Sequence, residues 1–423
     1  MRDGEDSCKS NGGCGRLDGL RSTADRALGA GLPDQLWSQN PAGSSKPLVW
    51  LLMGDRAGDN SQVVGLGEAL GWRLVEKHFI YTAFEKAVNL PFGAHLWGVV
   101  KKQSSALEAP WPDLVISAGR KNEPVARYIR KRALRESGKK VRLIHAGRPW
   151  AAPPNWDLII TTPQYRLPQD PNIVHNDTPL HRVTRERLDE ATVAWRERVA
   201  DLPRPLIAVL CGGNSGPYPF DRASGERLAV QAEALAQEFG GSLLITTSKR
   251  TLDETTEALF AGIRSPSIRY RWKQDDPDNP FFAFLGLADR VIVTADSVSM
   301  MAEACVTGRP VYLYDTGEGM TSMKENPWLD GLVKTAEARA AEGQTGDSKI
   351  GFSRWHLKAH IYRLTMRMGP QRLTRDIRIV QQLLIDTKRA VWLGDGHPAP
   401  EPPPLEDMAR AVARVRALFE KPG

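Results

Sequence analysis

The chain has 423 residues, of which 41% are hydrophobic and 25% charged, and its formal net charge is +7. This composition is ordinary for a globular protein, and the length is enough for two domains. No apolar run approaches the roughly 18 residues that a membrane-spanning helix needs. The mild positive excess suits phosphate-bearing substrates or an anionic membrane face, and we expect no nucleic acid partner.

Cysteine and histidine usage excludes two further classes of protein. Four cysteines are too few for a disulfide scaffold, and neither they nor the eight histidines show the spacing of a metal site. We therefore expect no bound metal and a reducing cytoplasm. The first residues are acidic and no hydrophobic run follows them, so we do not expect a secretory signal.

The elements, in chain order, predict two α/β domains after a tail. Residues 1–46 hold eight glycines and one aromatic residue, too little apolar surface to fold alone, and we interpret them as disordered or as a mis-assigned start. From there short apolar runs alternate with amphipathic stretches, which is typical of parallel βαβ units. The predicted strands are 47–53, 113–117, 141–145 and 157–161 in a first domain (47–202), and 206–210, 242–246, 290–294 and 311–314 in a second (203–334).

Helices are predicted between these strands and after them. They cover residues 62–70, 124–137, 184–200, 222–239 and 280–289, with two more across 370–390 and 405–420. The turn at 248–251 is expected to open a further helix. A loop and helices over 335–395 should close the second domain, and a Pro-rich linker with a terminal helix should follow over 396–423.

Ligands of parallel sheets bind beyond the carboxyl ends of the strands, so the loops there are the candidate sites. After strand 290–294 a Ser- and Asp-rich turn opens a helix, which gathers free backbone N–H groups where a phosphate can bind. Glu303 lies further along that helix, within reach of ribose hydroxyls. The pattern predicts a nucleotide-diphosphate site in the second domain. Its candidate residues are Gly212, Gly213, Asn214, Ser248, Lys249, Arg250, Asp296, Ser297, Ser299 and Glu303.

Each of these signals has a simpler alternative. The glycines at 212–216 could form a plain tight turn, and Lys249 and Arg250 could belong to a solvated helix start. Glu303 could be an exposed helix residue, although Met300, Met301 and Cys305 around it indicate partial burial, where a lone carboxylate is costly.

The first domain has the counterpart loop, residues 54–61, with Asp55 and Asp59 as candidate general bases. Capping of a helix is the alternative for both acids. Acceptor binding is predicted at Arg120, Lys121 and Glu123. They open segment 120–142, which holds ten basic and two acidic residues, and which is either a solvated basic face or a surface for anionic lipid. The apolar segment 79–100 is either core or a membrane-facing patch.

These residues resemble the nucleotide-sugar-dependent glycosyltransferases of the GT-B fold. In the transferase that adds N-acetylglucosamine to the lipid-linked peptidoglycan precursor, a Glu five residues before a Gly-x-Pro turn holds the donor ribose. Glu303 stands at the same offset from residues 308–310. Alignment of the first loops places Asp59 where that family has a histidine, which is a departure from the family's base.

Five further motifs resemble the family named after the plant mitochondrial-fission protein whose loss elongates mitochondria. They are residues 54–60, 161–165, 212–214, 246–251 and 294–298. The resemblance covers about residues 47–395 and implies the same GT-B-like fold. It leaves the activity open, since the plant member is a peripheral recruiter of a dynamin-like GTPase.

The sequence thus predicts an α/β protein with two Rossmann-like domains facing a cleft, GT-B-like, with C-terminal helices. We expect a metal-independent glycosyltransferase without a cofactor, whose co-substrate is a nucleotide-diphosphate sugar and whose acceptor is acidic or lipid-linked. Peripheral contact with the inner face of an anionic membrane is a further hypothesis. The alternatives are a non-catalytic adaptor that binds a protein partner or membrane, and a nucleotide-sugar epimerase.

Overall fold

Short apolar strands build two parallel sheets in the computed structural model, which describes residues 46–82, 93–215, 218–318, 322–324 and 375–420. The first sheet has the order β2-β1-β3-β4-β5-β6 and all its pairings are parallel. Its strands are β1 (Leu48–Met53), β2 (Arg73–His78), β3 (Leu114–Ala118), β4 (Arg142–Ala146), β5 (Leu158–Thr161) and β6 (Ile173–His175), and its helices are α1 (Ala57–Leu70) and α2 (Gly119–Ser137).

The second sheet has the order β12-β11-β10-β7-β8-β9 and is also parallel. Its strands are β7 (Leu206–Leu210), β8 (Ser242–Thr246), β9 (Ser267–Tyr270), β10 (Arg290–Thr294), β11 (Val311–Tyr314) and β12 (Val391–Trp392). The remaining helices are α3 (Arg185–Trp195), α4 (Arg222–Phe239), α5 (Asp253–Gly262), α6 (Phe281–Leu287), α7 (Val298–Cys305), α8 (Arg378–Asp386) and α9 (Asp407–Ala417).

Each sheet has one point where the strand order reverses, and such a point opens a crevice for ligands at the carboxyl ends of the strands. In the first sheet it lies between β1 and β3, and in the second between β7 and β10. The loops after these four strands carry most of the predicted site residues. The two carboxyl edges face each other across a cleft, which is the predicted GT-B-like arrangement of two Rossmann-like domains.

Among the described residues, the chain crosses between the cores of the two sheets twice. Leu180 packs in the core of the first sheet and Val183 in that of the second, so the first crossing comes before α3, which packs on α6. After β12 the chain returns, and α9 packs on α1 in the first core. The predicted boundary near Leu202 stays a prediction, but α3, which precedes it, contacts the second sheet.

The predicted elements are confirmed in the interior of the sheets and incomplete at the edges. All eight predicted strands are present, within one residue at either end. The four strands that the sequence did not indicate, β2, β6, β9 and β12, lie at the sheet edges. Edge strands are half exposed, as the mixed burial of β2 shows, and so lack the continuous apolar run of a central strand.

Three predicted helix starts were wrong by several residues. Helix α1 begins at Ala57 rather than at 62, which places Asp59 inside its first turn. Helix α2 begins at Gly119 rather than at Pro124, so the proline lies inside its first two turns. The turn at 248–251 is not the start of α5, which begins at Asp253.

Two sequence predictions fall on parts of the chain that the structure does not describe. The tail 1–45 and the loop 335–350 lie outside the described residues, while α8 and β12 belong to the predicted closing segment 335–395. Among the described helices, none combines the length and the apolar character that a membrane crossing requires.

Candidate functional site

The candidate site lies where the first halves of α1 and α7 meet across the cleft. Gly58 is so close to α7 that a Cβ atom there would lie 3.1 Å from Ser299 Oγ. One turn further along, Ser61 Oγ donates to Glu303 Oε1 over 3.4 Å. The loops at the two switch points therefore form the two walls of one crevice.

Glu303 is a buried acid on the second-domain wall. It is 8% exposed, and the bond from Ser61 is the one hydrogen bond that its side chain receives from the described residues. Burial raises the pKa of Glu303 to about 7, although the hydrogen bond from Ser61 and the charge of Arg182 lower it in part. A buried carboxylate with so few donors can accept hydrogen bonds from the hydroxyls of a ligand.

The start of α7 offers free backbone donors beside Glu303. The residue before the helix, Ser297, does not cap it through its side chain, and no acidic residue lies in the first turn. The Ser297 side chain therefore accepts from none of the first-turn N–H groups, and a helix start in this state is a favourable place for an anion.

The glycine turn after β7 is arranged differently from a phosphate loop. The N–H of Gly212 donates to Thr294 Oγ1 over 2.7 Å, and that of Gly213 donates to Asp296 Oδ2 over 3.1 Å. Asp296 is 2% exposed, and burial raises its pKa although the Arg250 guanidinium, 2.9 Å away, favours the charged form. Both amides that the sequence predicts for phosphate thus already donate to side chains of the protein.

The same contacts explain why glycine is required here. A Cβ at Gly212 would collide with the Asp296 carboxylate, and one at Gly213 would collide with the main-chain carbonyl of Arg250. Arg250 also donates to the carbonyls of Gly213 and Asn214, each over 3.2 Å. Ser248 Oγ donates to the carbonyl of Gly212. The turn 248–251 is therefore packed against the glycines.

Two other predicted donor residues have different surroundings. Asn214 accepts the N–H of Phe220 over 2.7 Å through its side chain, which shapes the loop after β7. Lys249 is exposed and forms no ion pair with the described residues, so it is free to contact a ligand.

Asp59 lies in the first turn of α1, on the first-domain wall. Its carboxylate contacts Gly119, the first residue of α2, at a place that a Cβ would occupy. Gly119 has a φ of 73°, so both its backbone and its neighbour require glycine. Burial raises the pKa of Asp59, and the charges of Arg56 and Arg375 offset this in part. A carboxylate with a raised pKa is a stronger base than an ordinary aspartate.

Asp55 is the weaker candidate base. It is exposed and pairs with Lys121 Nζ at 2.7 Å. Partial burial would raise its pKa, but the hydrogen bond and charge of Lys121 outweigh burial, so the pKa of Asp55 is lowered. Asp55 and Lys121 line a cavity of about 410 Å³ beside Tyr81, and this cavity opens at the end of β1.

The three predicted acceptor residues lie in the first turns of α2. Lys121 is at the cavity, and the Arg120 guanidinium lies 5.2 Å from the ring of Trp150. Glu123 is 3% exposed and accepts the N–H groups of Trp150 and Ala151 over 2.6 and 2.7 Å. Glu123 thus positions the loop after β4, and a direct contact of its side chain with an acceptor stays a prediction.

Sequence reasoning missed Ser61, Asn60 and Arg375. Asn60 forms two hydrogen bonds of 2.9 Å with the backbone of Gly54 and so fixes the loop after β1. Its place in the motif 54–60 was a usable signal. Arg375 comes from a distant part of the chain, and nothing in its local sequence indicates this position. In the described ranges no three His, Cys, Asp or Glu side chains are grouped to hold a metal ion.

A family profile described as "Mitochondrial fission ELM1" matches residues 57–361. The chain belongs to this family, which confirms the resemblance drawn from its motifs. It is 28% identical over 245 residues to "Mitochondrial fission protein ELM1" of Arabidopsis thaliana, a match that covers 52% of this chain and 55% of the plant protein. The chain thus spans about half the length of that relative.

Two solved structures show distant similarity. One is MnaA of S. aureus with UDP, at 11% identity, with coverage of 89% of this chain and 99% of that chain and a TM-score of 0.39. The other is MurG of Acinetobacter baumannii, at 15% identity, with coverage of 88% and 99% and a TM-score of 0.34. At these TM-scores the likenesses carry no information about activity.

The raised pKa of Glu303 predicts a pH dependence of stability. Between its ordinary pKa of 4.5 and about 7, the folded protein keeps the proton and the unfolded chain releases it, so stability falls as pH rises. Glu303→Gln lacks this proton. Relative to wild type, its free energy of unfolding should rise by about 3 kcal/mol across this window and then stay level.

Urea unfolding at a series of pH values measures this difference. Glu254→Gln is the control for the loss of a carboxylate, because Glu254 is exposed on α5 and lies outside the crevice. A difference between Glu303→Gln and wild type that does not change with pH would contradict the raised pKa of Glu303.

Proposed function

We propose that this protein is a glycosyltransferase that moves a sugar from a nucleotide-diphosphate donor to the hydroxyl of an acceptor. The observation that carries the proposal is the meeting of a buried acid, Glu303, and a half-buried acid with a raised pKa, Asp59, in one crevice. Glu303 lies on the second-domain wall and Asp59 on the first, on helices that contact each other through Gly58 and Ser299. Fold alone would not support an activity, because one fold hosts many functions.

The donor binds on the second domain in this proposal. Its diphosphate lies at the open start of α7, where the first-turn N–H groups, Ser297 and Ser299 are available and the helix dipole favours negative charge. Lys249, exposed after β8 two strands away in the sheet, supplies a cation. The Glu303 carboxylate accepts hydrogen bonds from the ribose hydroxyls and replaces its long contact with Ser61.

The glycines after β7 have an indirect role in this proposal. Their amides hold Thr294 and Asp296, and Asp296 in turn holds Arg250. Gly212, Gly213, Asn214, Ser248 and Asp296 therefore shape the crevice, and Arg250 is oriented toward it by a buried partner. This reading differs from direct phosphate contact by the glycine amides, which would require Asp296 to move.

Asp59 is the proposed general base. It takes the proton from the acceptor hydroxyl, whose oxygen forms a bond to the anomeric carbon as the bond from that carbon to the diphosphate breaks. The leaving nucleoside diphosphate carries the electron pair away, and the α7 donors and Lys249 stabilise its charge. Arg120 and Lys121 lie at the same edge of the first sheet and contact the acceptor.

A non-catalytic adaptor is the second candidate function, and one observation favours it. The side chains of Thr294 and Asp296 occupy the two glycine amides, so the turn after β7 is stable without a ligand. An adaptor could retain this packed turn as structure. An adaptor does not need an acid with a raised pKa at position 303, because burial of an apolar residue there would cost less free energy.

Nucleotide titration separates the two functions. We expect calorimetry with UDP, GDP, ADP, CMP and TDP at pH 8 to show selective binding of one of them. Glu303→Gln should weaken that binding by about 1–3 kcal/mol, the contribution of hydrogen bonds to a charged group. Glu254→Gln is the exposed control. Absence of binding to any of the five would favour the adaptor.

Substitution of the proposed base tests the chemistry. The substrate is the sugar derivative of the nucleotide that binds. The assay measures the nucleoside diphosphate that is released when the sugar is transferred to water or to an acceptor. Asp59→Asn should slow release by about 100-fold or more and leave nucleotide affinity unchanged, because a general base acts on the acceptor. Asp55→Asn is the comparison variant and should slow release much less, although it also removes the ion pair of Asp55 with Lys121. Equal losses in both variants would contradict the assignment.

Contact with an anionic membrane is a further part of the proposal. The segment 79–100, whose residues 83–92 are not described, exposes Ile80 (48%) and Trp97 (66%), and the exposed Lys101 and Lys102 follow it. An exposed aromatic residue beside lysines suits the surface of an anionic bilayer, with the protein at its cytoplasmic face.

Liposome co-sedimentation tests this contact. Vesicles containing phosphatidylglycerol should bind the protein several-fold more than pure phosphatidylcholine, and Lys101→Gln with Lys102→Gln should reduce the difference. The control replaces two exposed arginines on α3 and α4, Arg185→Gln with Arg222→Gln, which removes the same number of charges. Equal binding to both kinds of vesicle would contradict the proposed membrane contact.

A further inference from the structure

Another cavity lies at the edge of the second sheet that is opposite to the candidate site. Its volume is about 360 Å³, and it is lined by the end of α3, the turns that follow it and the end of α6. Arg204 comes two residues before β7 and Arg309 two residues before β11, so the cavity is at the amino ends of these parallel strands. The five residues of β7 separate this edge from the carboxyl edge by about 16 Å.

Part of the lining of this cavity is apolar and well packed. Val199 and Leu287 are buried members of the core of the second sheet, and Leu202 packs against that core. Gly286 lets α6 lie close to α3, because a Cβ atom at this glycine would collide with the hydroxyl of Thr192. The apolar part of the lining is therefore fixed by the packing of the core, and it can receive an apolar group of a ligand.

The rest of the lining carries positive charge, because Arg196, Arg204 and Arg309 all contribute to it. The guanidinium groups of Arg196 and Arg309 form no ion pair and no hydrogen bond with the part of the chain that the structure describes. Arg204 pairs with Asp289 Oδ1 at 2.8 Å, and the other oxygen of that carboxylate accepts the N–H of Leu206 over 2.7 Å. One of the three charges is thus balanced and two are not.

The nearby acids do not remove this excess of charge. Glu197 and Asp201 are close to Arg196 in the sequence, but neither lines the cavity and neither pairs with Arg196. A single exposed arginine needs no partner, whereas three on one cavity with one carboxylate beside them create a local positive potential. Guanidinium groups offer several N–H donors in a plane that suits phosphate oxygens. The volume is also within the range of small-molecule sites, which begins at about 300 Å³.

We propose that this cavity binds a phosphate monoester that carries an apolar group. The phosphate lies against Arg196 and Arg309, and the apolar group lies against Val199 and Leu202. The site is at the opposite edge of the sheet from the crevice, so the inference does not depend on the proposed transferase function. A soluble ester and the headgroup of phosphatidic acid share this chemistry, and the experiment separates these two sources.

The probe is n-butyl phosphate, titrated into the full chain by calorimetry. Wild type should bind it, and should bind inorganic phosphate more weakly, because that ion has no apolar group. Arg196→Gln and Arg309→Gln should each weaken the binding of the ester about fivefold or more, since each removes hydrogen bonds to a charged group. Leu202→Ala should weaken the binding of the ester and leave that of inorganic phosphate unchanged. Arg185→Gln, on α3 and paired with Asp189, should have no effect.

Two results would overturn the inference. One is that wild type does not bind n-butyl phosphate, and the other is that both arginine variants bind it like wild type, which would place the ester elsewhere on the protein. Urea unfolding shows whether the variants are folded, and the replaced arginines are exposed. Where the arginines do matter, co-sedimentation with vesicles that contain phosphatidic acid identifies the source. Vesicle binding that Arg309→Gln abolishes assigns the cavity to the lipid headgroup, and vesicle binding that it leaves unchanged assigns the cavity to a soluble ester.

Discussion

The close approach of α1 to α7 is the contact on which the whole site depends. It requires small side chains at the point of closest contact, and Gly58 and Ser299 provide them. Because the two helices begin at the carboxyl ends of β1 and β10, their contact brings both switch points to one place. Ser61 and Glu303 then meet one turn further along. Even an alanine at position 58 would place its Cβ 3.1 Å from Ser299 Oγ, so the side chain of Ser299 would have to shift by a few tenths of an ångström.

Most of the fold could be predicted because central parallel strands are buried on both faces and so consist of apolar runs. The eight interior strands carry that signal, and β1 and β7 are buried at every position. The edge strands β2 and β9 contain charged residues at partly exposed positions, and local sequence does not separate them from loops. Their place in the sheet depends on pairing with the neighbouring strand, which is a contact between residues far apart in the sequence.

The location of the site could also be predicted, but the bonding within it could not. Strand ends indicated the loops of Asp59 and Glu303, since ligands of parallel sheets bind there. The glycines at 212 and 213 gave an ambiguous signal, because close approach of a phosphate and close approach of Asp296 and Arg250 both exclude a Cβ. Arg375 reaches the cleft through Gln164, which is 211 residues away in the chain. No local pattern encodes such a pairing.

The two chain crossings have a mechanical consequence. The Asp407 carboxylate, 1% exposed, accepts the N–H groups of Asp177 and Thr178 at 2.8 Å, so the return crossing is bonded to the segment just before the first. Arg389 pairs with Asp177 at 3.4 Å at the same place. These bonds join the two chain segments that connect the domains, so both connections lie at the same side of the cleft. We therefore expect any widening of the cleft to be a rotation about this place, in which these bonds are kept.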